Sequence, residues 1–347
     1  MTTPATRPRA AGAAGGPEPG GWAVRAKRLV ADPTSGIFGI LVLLVIVFSI
    51  LSPSGFPSVA NAQNIVSDAA ILLVLAVGST YVILTGGIDL SVNGVLVFSG
   101  VIAAKTMNAL GGDGTAAILA GVVGAVLSGA VWGAINGFLV AKARIPPLIV
   151  TLGTMGAATG AALLITGGVD VRNVPLGLVL SIGSGQVIGI PWLFVIALAL
   201  AVVFGVVLAK TRFGRRTYAA GSNAEALRRS GVNTAAHLMK VYMIGGLLAG
   251  VAGYLSLARF ATTTLGGHTT DNLQTIAAVV IGGTSLFGGR GSMFGTIVGV
   301  FIPTVLQNGF VVLGVSAFWQ QVAVGAVLIA AVYLDQLRRR ARQGGRT

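Results

Sequence analysis

Cysteine is absent from the 347 residues, and only 9% of the residues are charged. Without cysteine the chain can form no disulfide and carries no thiol chemistry. A soluble domain has about 25% charged residues, so this low value, together with 54% hydrophobic residues, predicts an integral membrane protein. The two histidines, His237 and His268, lie far apart in the sequence. No metal-ligand cluster and no metal are therefore expected.

Acidic residues are also scarce. The chain has nine aspartates and glutamates and 23 lysines and arginines, which gives a net charge of +14. A basic chain can bind nucleic acid, but positive charge also collects in the cytoplasmic loops of membrane proteins. The charge distribution described below favours the second explanation. We therefore expect a lipid membrane as the surroundings and no nucleic acid as a partner.

Long apolar runs make up most of the chain, and about 20 apolar residues are needed to cross a bilayer. The predicted fold class is an all-α polytopic helical bundle of about ten transmembrane helices over residues 36–337. A disordered tail, 1–35, precedes it and a basic tail, 338–347, follows it. The predicted spans are 36–52, 63–85, 90–109, 114–140, 147–166, 191–209, 241–262, 273–287, 292–314 and 317–336.

The lysines and arginines set the predicted orientation. When the N-terminus is placed inside and the spans alternate, 20 of the 23 fall in inner segments, and only Lys105, Arg172 and Arg259 fall elsewhere. The opposite orientation would invert this ratio, so both termini are predicted to be cytoplasmic.

The acids bear on the energy source. No carboxylate lies in the middle third of a predicted span, whereas proton-driven carriers and pumps usually keep one there. The sequence therefore disfavours a proton-coupled carrier, although sodium coupling through carbonyl groups stays open. A membrane enzyme acting on lipid is disfavoured as well, because the histidines are isolated and no nucleophile–base pair is evident.

The segment ILTGGIDLSVNG, residues 83–94, interrupts one long apolar run. Gly86 and Gly87 permit a sharp reversal of the chain. Asp89 is predicted at the cytoplasmic end of two spans, where water or headgroups reach it, and it is expected to cap a helix that begins near Leu90. A second break, FGGRGS at 287–292, resembles the first, so a distant internal repeat is one interpretation and chance recurrence of glycine-rich turns is the other.

The longest charged segment is 210–240. Ser222 or Asn223 is predicted to cap a short helix over 224–230, and Gly231 to end it. Two interpretations stay open. The segment is either a solvated basic loop held on anionic lipid headgroups or a short helix that fits a groove on a partner protein.

Several motifs together resemble one known family. TRFGRRTYAAGSNAEALRRSGVN contains Glu225-Ala226 with Gly231 six residues after the glutamate, and this is similar to the coupling loop of ABC-importer permeases of the ribose, galactose and xylose type, which are related to branched-chain amino acid permeases. TGGIDLSVNG and the segments 277–299 and 313–340 resemble the same family, so the likeness covers about 36–340.

The resemblance implies a permease homodimer in the bacterial cytoplasmic membrane. It implies a cytoplasmic ABC ATPase that binds ATP and Mg, and an extracytoplasmic binding protein that delivers a sugar. The chain has no G-x-x-x-x-G-K-[ST] motif, so it is expected to hold no cofactor and to be no enzyme itself. By the resemblance, the coupling-loop residues are Gly221, Asn223, Glu225, Ala226 and Gly231.

Uncharged polar residues inside the spans suit the passage of a neutral polyhydroxylated solute, because they exchange hydrogen bonds with hydroxyl groups. For any one of them, an interhelical hydrogen bond is the alternative role. The solute is predicted to be a monosaccharide; a nucleoside, a signalling furanose or a branched-chain amino acid stays open. The external loop 167–190 either touches the binding protein or lies on the membrane. Candidates for the translocation path or gate are Gly86, Gly87, Asp89, Ser91, Asn93, Asn136, Thr151, Thr154, Gln307 and Asn308.

Overall fold

The computed structural model describes residues 33–112, 114–316, 318–323, 325, 326, 329, 330, 333 and 336. Residues 1–32 of the predicted N-terminal tail and the whole predicted C-terminal tail lie outside the described residues. The helices are α1 Pro33–Leu51, α2 Val59–Leu84, α3 Val92–Ala109, α4 Thr115–Ala141, α5 Pro147–Thr166, α6 Leu176–Leu178 with a π-helical turn Val179–Gly183, α7 Trp192–Lys210, α8 Arg212–Arg229, α9 Thr234–Phe260, α10 Asp271–Ile281 and α11 Met293–Val312. A two-residue hairpin, β1 Gln186–Val187 and β2 Ile190–Pro191, lies between α6 and α7.

Seven helices of the described part are long and apolar enough to cross a membrane: α2, α3, α4, α5, α7, α9 and α11. Two differences from the sequence prediction stand out. Helix α9 begins at Thr234, seven residues before the predicted start, and α10 ends at Ile281, six residues before the predicted end. The 11 residues of α10 rise only about 16 Å, which is about half of a hydrocarbon core. The tenth predicted span, 317–336, is only partly described, and its described residues are helical.

Helices α2 and α9 form the centre of the bundle. Every residue of α2 from Ala69 to Leu84 is buried, as is most of α9 from Gly245 to Ala258. A helix that is apolar on all sides is expected at the centre of a bundle.

Glycines bring α4 and α9 into close contact. Gly129 and Gly133 recur four residues apart on the buried face of α4, against Gly246 and Gly250 of α9. A Cβ atom added at Gly129 would lie 2.8 Å from the Gly250 nitrogen. Because no side chain fits there, these glycines are required for backbone contact between the helices.

Segments that the charge count assigns to one side of the membrane meet at one end of the bundle. The N–H of Gly289 donates to the Leu84 carbonyl at 2.8 Å, and the Tyr218 hydroxyl donates to the Gly291 carbonyl at 2.9 Å. At the opposite end, Asp170 accepts from the Thr263 hydroxyl at 3.0 Å and ties the 167–190 loop to the segment between α9 and α10. Segments predicted for the same side of the membrane therefore lie at the same end of the bundle.

Candidate gate and coupling site

The break between α2 and α3 differs from the prediction in detail. Helix α3 begins at Val92, two residues after Leu90, with Ser91 as its N-cap residue, and no side chain caps it. The Asp89 carboxylate instead accepts from the backbone N–H of Ser91 at 2.9 Å and from its hydroxyl at 2.6 Å. An aspartate that bonds the N–H two residues ahead forms an Asx turn. The predicted helix cap is therefore wrong, and Asp89 shapes the turn before the helix.

The predicted surroundings of Asp89 are also wrong. The residue is only 4% exposed, so neither water nor headgroups reach it freely in this conformation. Burial raises the pKa of the Asp89 carboxyl, and the two hydrogen bonds from Ser91 oppose this rise. Sequence position alone put Asp89 at the end of a span, but packing of the turn into the bundle encloses it.

Asp89 begins a chain of buried hydrogen bonds that joins the turn to two helices. The side-chain amide of Asn136, on α4, donates to the Ser91 hydroxyl at 2.8 Å. The Thr154 hydroxyl, on α5, donates to the Asn136 side-chain oxygen at 2.7 Å. Thr151, one turn earlier on α5, is fully buried and bonds the Pro147 carbonyl at 2.9 Å. We call Asp89, Ser91, Asn136 and Thr154 the Asp89 network.

Three other candidates do not join this network. The Asn93 side chain accepts from the N–H of Gly94, its neighbour in the chain, at 2.8 Å. Gln307 is exposed. Asn308 exchanges two hydrogen bonds with Asn61, at 2.9 and 3.0 Å, and so joins α11 to the opposite end of α2. For Asn308 the geometry matches the interhelical hydrogen bond that the sequence left as the alternative.

Sequence reasoning missed Tyr242, which faces the turn from α9. A Cβ atom at Gly87 would lie 2.6 Å from the Tyr242 hydroxyl. A Cβ atom at Gly245, three residues after Tyr242 on α9, would lie 3.7 Å from Asp89 Oδ2. The buried Tyr242 hydroxyl has no hydrogen-bond partner among the residues that the structure describes. A tyrosine in an apolar helix gives no signal of this proximity. Gly87 is therefore needed for close approach, whereas Gly86 takes a positive φ of 78°.

The segment predicted as the coupling loop is mostly helical. The predicted cap is confirmed, because the Asn223 side chain accepts from the Ala226 N–H at 2.9 Å. The helix is longer than predicted, since Thr211 caps a first half that begins at Arg212, and Asn223 (φ −161°, ψ 91°) kinks α8 between its halves. Gly231 follows the helix with φ 83°.

Beyond the kink, Glu225 bonds two arginines at 2.9 Å, Arg228 and Arg229. These hydrogen bonds, from Arg228 first and then Arg229, lower the pKa of Glu225. Glu225 and Ala226 are exposed, so this tip of α8 can be contacted by another protein.

The first half of α8 lies directly on both glycine-rich turns. A Cβ atom at Gly221 would overlap the Leu84 carbonyl oxygen and would lie 2.5 Å from the Gly289 nitrogen and 3.0 Å from Gly288. Leu84 ends α2, five residues before Asp89. A displacement of α8 would therefore also displace the end of α2, where the turn that contains Asp89 begins.

The histidines are not isolated, contrary to the sequence analysis. His268 Nδ1 lies 2.6 Å from Asp271 Oδ2, and His268 Nε2 lies 2.8 Å from the Ser256 hydroxyl. This is the order of groups in a serine-hydrolase triad, but Ser256 is 3% and His268 6% exposed. The enclosed cluster fixes the segment between α9 and α10. His237 likewise bonds Thr217 at 3.1 Å and joins α9 to α8.

The sequence contained one indication of the Ser256–His268–Asp271 cluster, which is the three-residue spacing of His268 and Asp271. The contact of His268 with Ser256 could not be predicted, because it depends on the tertiary fold. Within the described residues, no group of three or more His, Asp or Glu side chains is arranged to hold a metal ion.

Comparison with known proteins identifies the family. The family profile described as "Branched-chain amino acid transport system / permease component" matches residues 61–332. The ribose import permease protein RbsC of Bacillus subtilis is 40% identical over 305 residues, covering 88% of this chain and 92% of the relative. The D-allose transport system permease protein AlsC of Escherichia coli is 37% identical over 303 residues, 87% of this chain and 91% of the relative.

The ribose import permease protein RbsC of Escherichia coli is 37% identical over 320 residues, 90% of this chain and 94% of that relative. No solved structure gave a significant match. Because the profile and the relatives both cover most of the chain, the protein belongs to this family of ABC-importer permeases.

Proposed function

We propose that the protein forms the membrane path of an ATP-driven importer for a monosaccharide, a ribose-like pentose or a hexose. The observation that carries this proposal is the contact of Gly221 with Leu84 and Gly289. It joins the exposed tip of α8 to the turn of the Asp89 network. The similarity of the chain to a ribose import permease and a D-allose transport permease supports the solute class.

The proposed orientation has ten spans, of which the one at 273–287 is helical only as far as Ile281. Both termini lie in the cytoplasm of a bacterial cell, and the protein lies in its cytoplasmic (inner) membrane. The positive-inside distribution supports it. So does the meeting of three predicted inner segments, 86–89, 210–240 and 288–291, at one end of the bundle. In this orientation α8 faces the cytoplasm and the 167–190 loop faces outwards.

The proposed partners follow from these two ends. A cytoplasmic ATPase, which binds ATP and Mg, contacts the tip of α8 at Asn223, Glu225, Ala226 and Gly231. A sugar-binding protein docks at the opposite end, where the loop 167–190 is tied to the segment after α9. Two copies of the permease form the assembly. The chain itself contributes no catalytic group and no cofactor.

In the proposed mechanism, the ATPase moves α8, and α8 moves the end of α2 through Gly221. The Asp89 turn then shifts against α4 and α5. The bonds from Asn136 to Ser91 and from Thr154 to Asn136 open, and the separated groups can exchange hydrogen bonds with the hydroxyl groups of a passing sugar. The side chains of Ser91, Asn136 and Thr154 are uncharged and release a neutral solute readily, since the binding protein supplies the affinity.

The test is uptake in proteoliposomes that contain the permease with its ATPase and binding protein. Ribose and D-allose are offered as labelled solutes, and leucine and a nucleoside are offered in parallel. Sugar uptake that requires ATP and both partners is the expected result. Uptake by the permease alone would establish an ion-coupled carrier instead, and ATP-driven uptake of leucine or nucleoside in place of sugar would overturn the proposed solute.

A further inference from the structure

Three arginines line one groove on the first half of α8. Arg212, Arg215 and Arg216 surround a groove of about 300 Å³ together with Ala219 and Leu227. Positions 212, 215, 216 and 219 have the spacing of a single helical face. The three cationic groups therefore converge on one concave surface with an apolar floor.

The opposite face of α8 is anchored in the bundle. The ring of Phe213 packs at a tilt against the rings of Tyr81 and His237, with centroid distances of 6.0 and 4.7 Å. Thr217 bonds His237, and Gly214 is buried. Because this face is held, the arginine face has a fixed direction and is not a freely moving loop.

The arginines have no internal counter-charge in the described part of the chain. None of the ion pairs found there includes Arg212, Arg215 or Arg216. The one acid of α8, Glu225, lies beyond the kink and bonds Arg228 and Arg229. The first turn of α8 contains no acid, and cations at a helix N-terminus are unfavourable unless an anion is close. The groove thus lacks an anion.

The place of the groove indicates which anion it takes. One residue, Thr211, separates α8 from α7, and α7 exposes a row of valines, Val202, Val203 and Val206, that are 54–56% accessible. Such a row on a membrane-crossing helix faces acyl chains. Arg212, Arg215 and Arg216 follow within two helical turns of the end of α7 at Lys210, which places them at the level of the headgroups. The three arginines lie before the Asn223 kink, and the proposed ATPase contact, which begins at Asn223, borders the groove at Leu227.

We propose that this groove is a binding site for the phosphate group of an anionic lipid. Arginine presents a planar fork that bonds two phosphate oxygens at once, which lysine does not do. Leu227 and Ala219 contact the apolar part of the headgroup region. The bound lipid neutralises the first half of α8 and holds it against the glycine turns. The site depends on the location of α8 at the membrane and not on the identity of the transported solute.

The test uses the full chain in nanodiscs of phosphatidylcholine with a minority of phosphatidylglycerol, with retained lipids counted by native mass spectrometry. The groove variant is Arg212→Gln, Arg215→Gln and Arg216→Gln together. The control variant removes the same charge from exposed residues elsewhere, Lys142→Gln, Arg144→Gln and Lys240→Gln. Retention of phosphatidylglycerol should fall about tenfold or more in the groove variant and by far less in the control.

Further variants and measurements distinguish a specific lipid site from a diffuse charge effect, from free phosphate and from a protein partner. Replacing the three arginines with lysine should also lower retention, because the charge remains but the fork is lost. Equal loss in the groove and control variants would indicate a diffuse field and would overturn the proposal. Protection of 212–222 from hydrogen exchange by inorganic phosphate alone would overturn the lipid as the source. Unchanged lipid retention with loss of the ATPase would assign the groove to an acidic protein surface and would overturn it as well.

Discussion

The backbone N–H of Gly289 donates a hydrogen bond to the carbonyl oxygen of Leu84 at 2.8 Å. These residues are 205 positions apart in the sequence. Leu84 ends α2 directly before one glycine-rich turn, and Gly289 belongs to the other. Gly221 of α8 packs directly against both atoms of this bond, the Leu84 oxygen and the Gly289 nitrogen. The hydrogen bond therefore marks the place where α8 and the two interrupted runs meet.

The first prediction concerns this meeting point. Gly221→Ala places a methyl group on the Leu84 carbonyl, which is backbone and cannot rotate away. The α8 helix must shift, so ATP-driven uptake should fall about tenfold or more, as expected for a barrier raised by about 1.4 kcal/mol, while membrane insertion persists. The measurement is uptake in proteoliposomes together with co-purification of the ATPase.

A matched control is Gly153→Ala on α5, where an added Cβ meets no atom within 4 Å. This change should leave uptake near that of the wild type and should slightly favour the helix, by about 1 kcal/mol. Equal effects of the two alanines would remove the special role of the Gly221 contact.

Much of the fold could be predicted because apolar length and charge are local properties. The break at 85–91 and the ends of α3, α4 and α5 lie within a few residues of the prediction. The length of α10 could not be predicted this way, because its end depends on packing. A Cβ atom at Gly282 would lie 2.5 Å from the Gly295 oxygen, so the end of α10 contacts the start of α11. Hydropathy along the sequence does not reveal such a contact.

The candidate site was predictable in part for the same reason. Asp89, Ser91, Asn136 and Thr154 were all candidates, because buried polar side chains are visible as departures from an apolar pattern. Their hydrogen bonds to one another were not predictable, since they join three elements. Burial of Asp89 and the approach of Tyr242 are tertiary facts too, and they reversed the expectation of a water-exposed carboxylate.

The second prediction compares two asparagines. Asn136→Leu leaves the Ser91 hydroxyl without its donor and removes an acceptor of Thr154, which should lower the free energy of unfolding by about 1–3 kcal/mol. Uptake should fall with it, because the turn is no longer tied to α4 and α5. Thermal unfolding in detergent and uptake in proteoliposomes measure the two effects.

Asn308→Leu is the matched comparison. Its partner Asn61 keeps a second acceptor, the Phe56 carbonyl at 3.0 Å, and the pair lies away from the Asp89 network. This variant should therefore unfold closer to the wild-type temperature and should transport normally. Normal transport by Asn136→Leu, or a transport defect confined to Asn308→Leu, would contradict the assignment of the network to the gate.

The third prediction tests the tip of α8 through charge and pH. Glu225→Arg removes the acceptor of Arg228 and Arg229 and should detach the ATPase without affecting insertion. Because the pKa of Glu225 is lowered in the folded protein, its ion pairs stabilise the helix above the pKa of an unfolded glutamate. That contribution disappears as the pH falls through the lower folded value. Co-purification of the ATPase should therefore approach that of Glu225→Gln on acidification.

Arg144→Gln, an exposed charge change at the same end of the bundle, serves as the control for Glu225. It should not alter ATPase binding at any of these pH values. Normal co-purification and normal uptake by Glu225→Arg would sink the placement of the ATPase at this tip.

The fourth prediction concerns the hydroxyl of Tyr242. A buried hydroxyl without a partner carries an uncompensated desolvation cost of about 1–3 kcal/mol, and the Tyr242 hydroxyl has no partner in the described part of the chain. Tyr242→Phe should therefore leave the unfolding temperature unchanged or raise it. Tyr81→Phe is the comparison, because its hydroxyl donates to the Phe204 carbonyl and its loss should lower that temperature. A clear destabilisation by Tyr242→Phe would show that the hydroxyl has a partner, and Asp89, whose second oxygen faces neighbouring Gly245, would then be the group to test by combining Tyr242→Phe with Asp89→Asn.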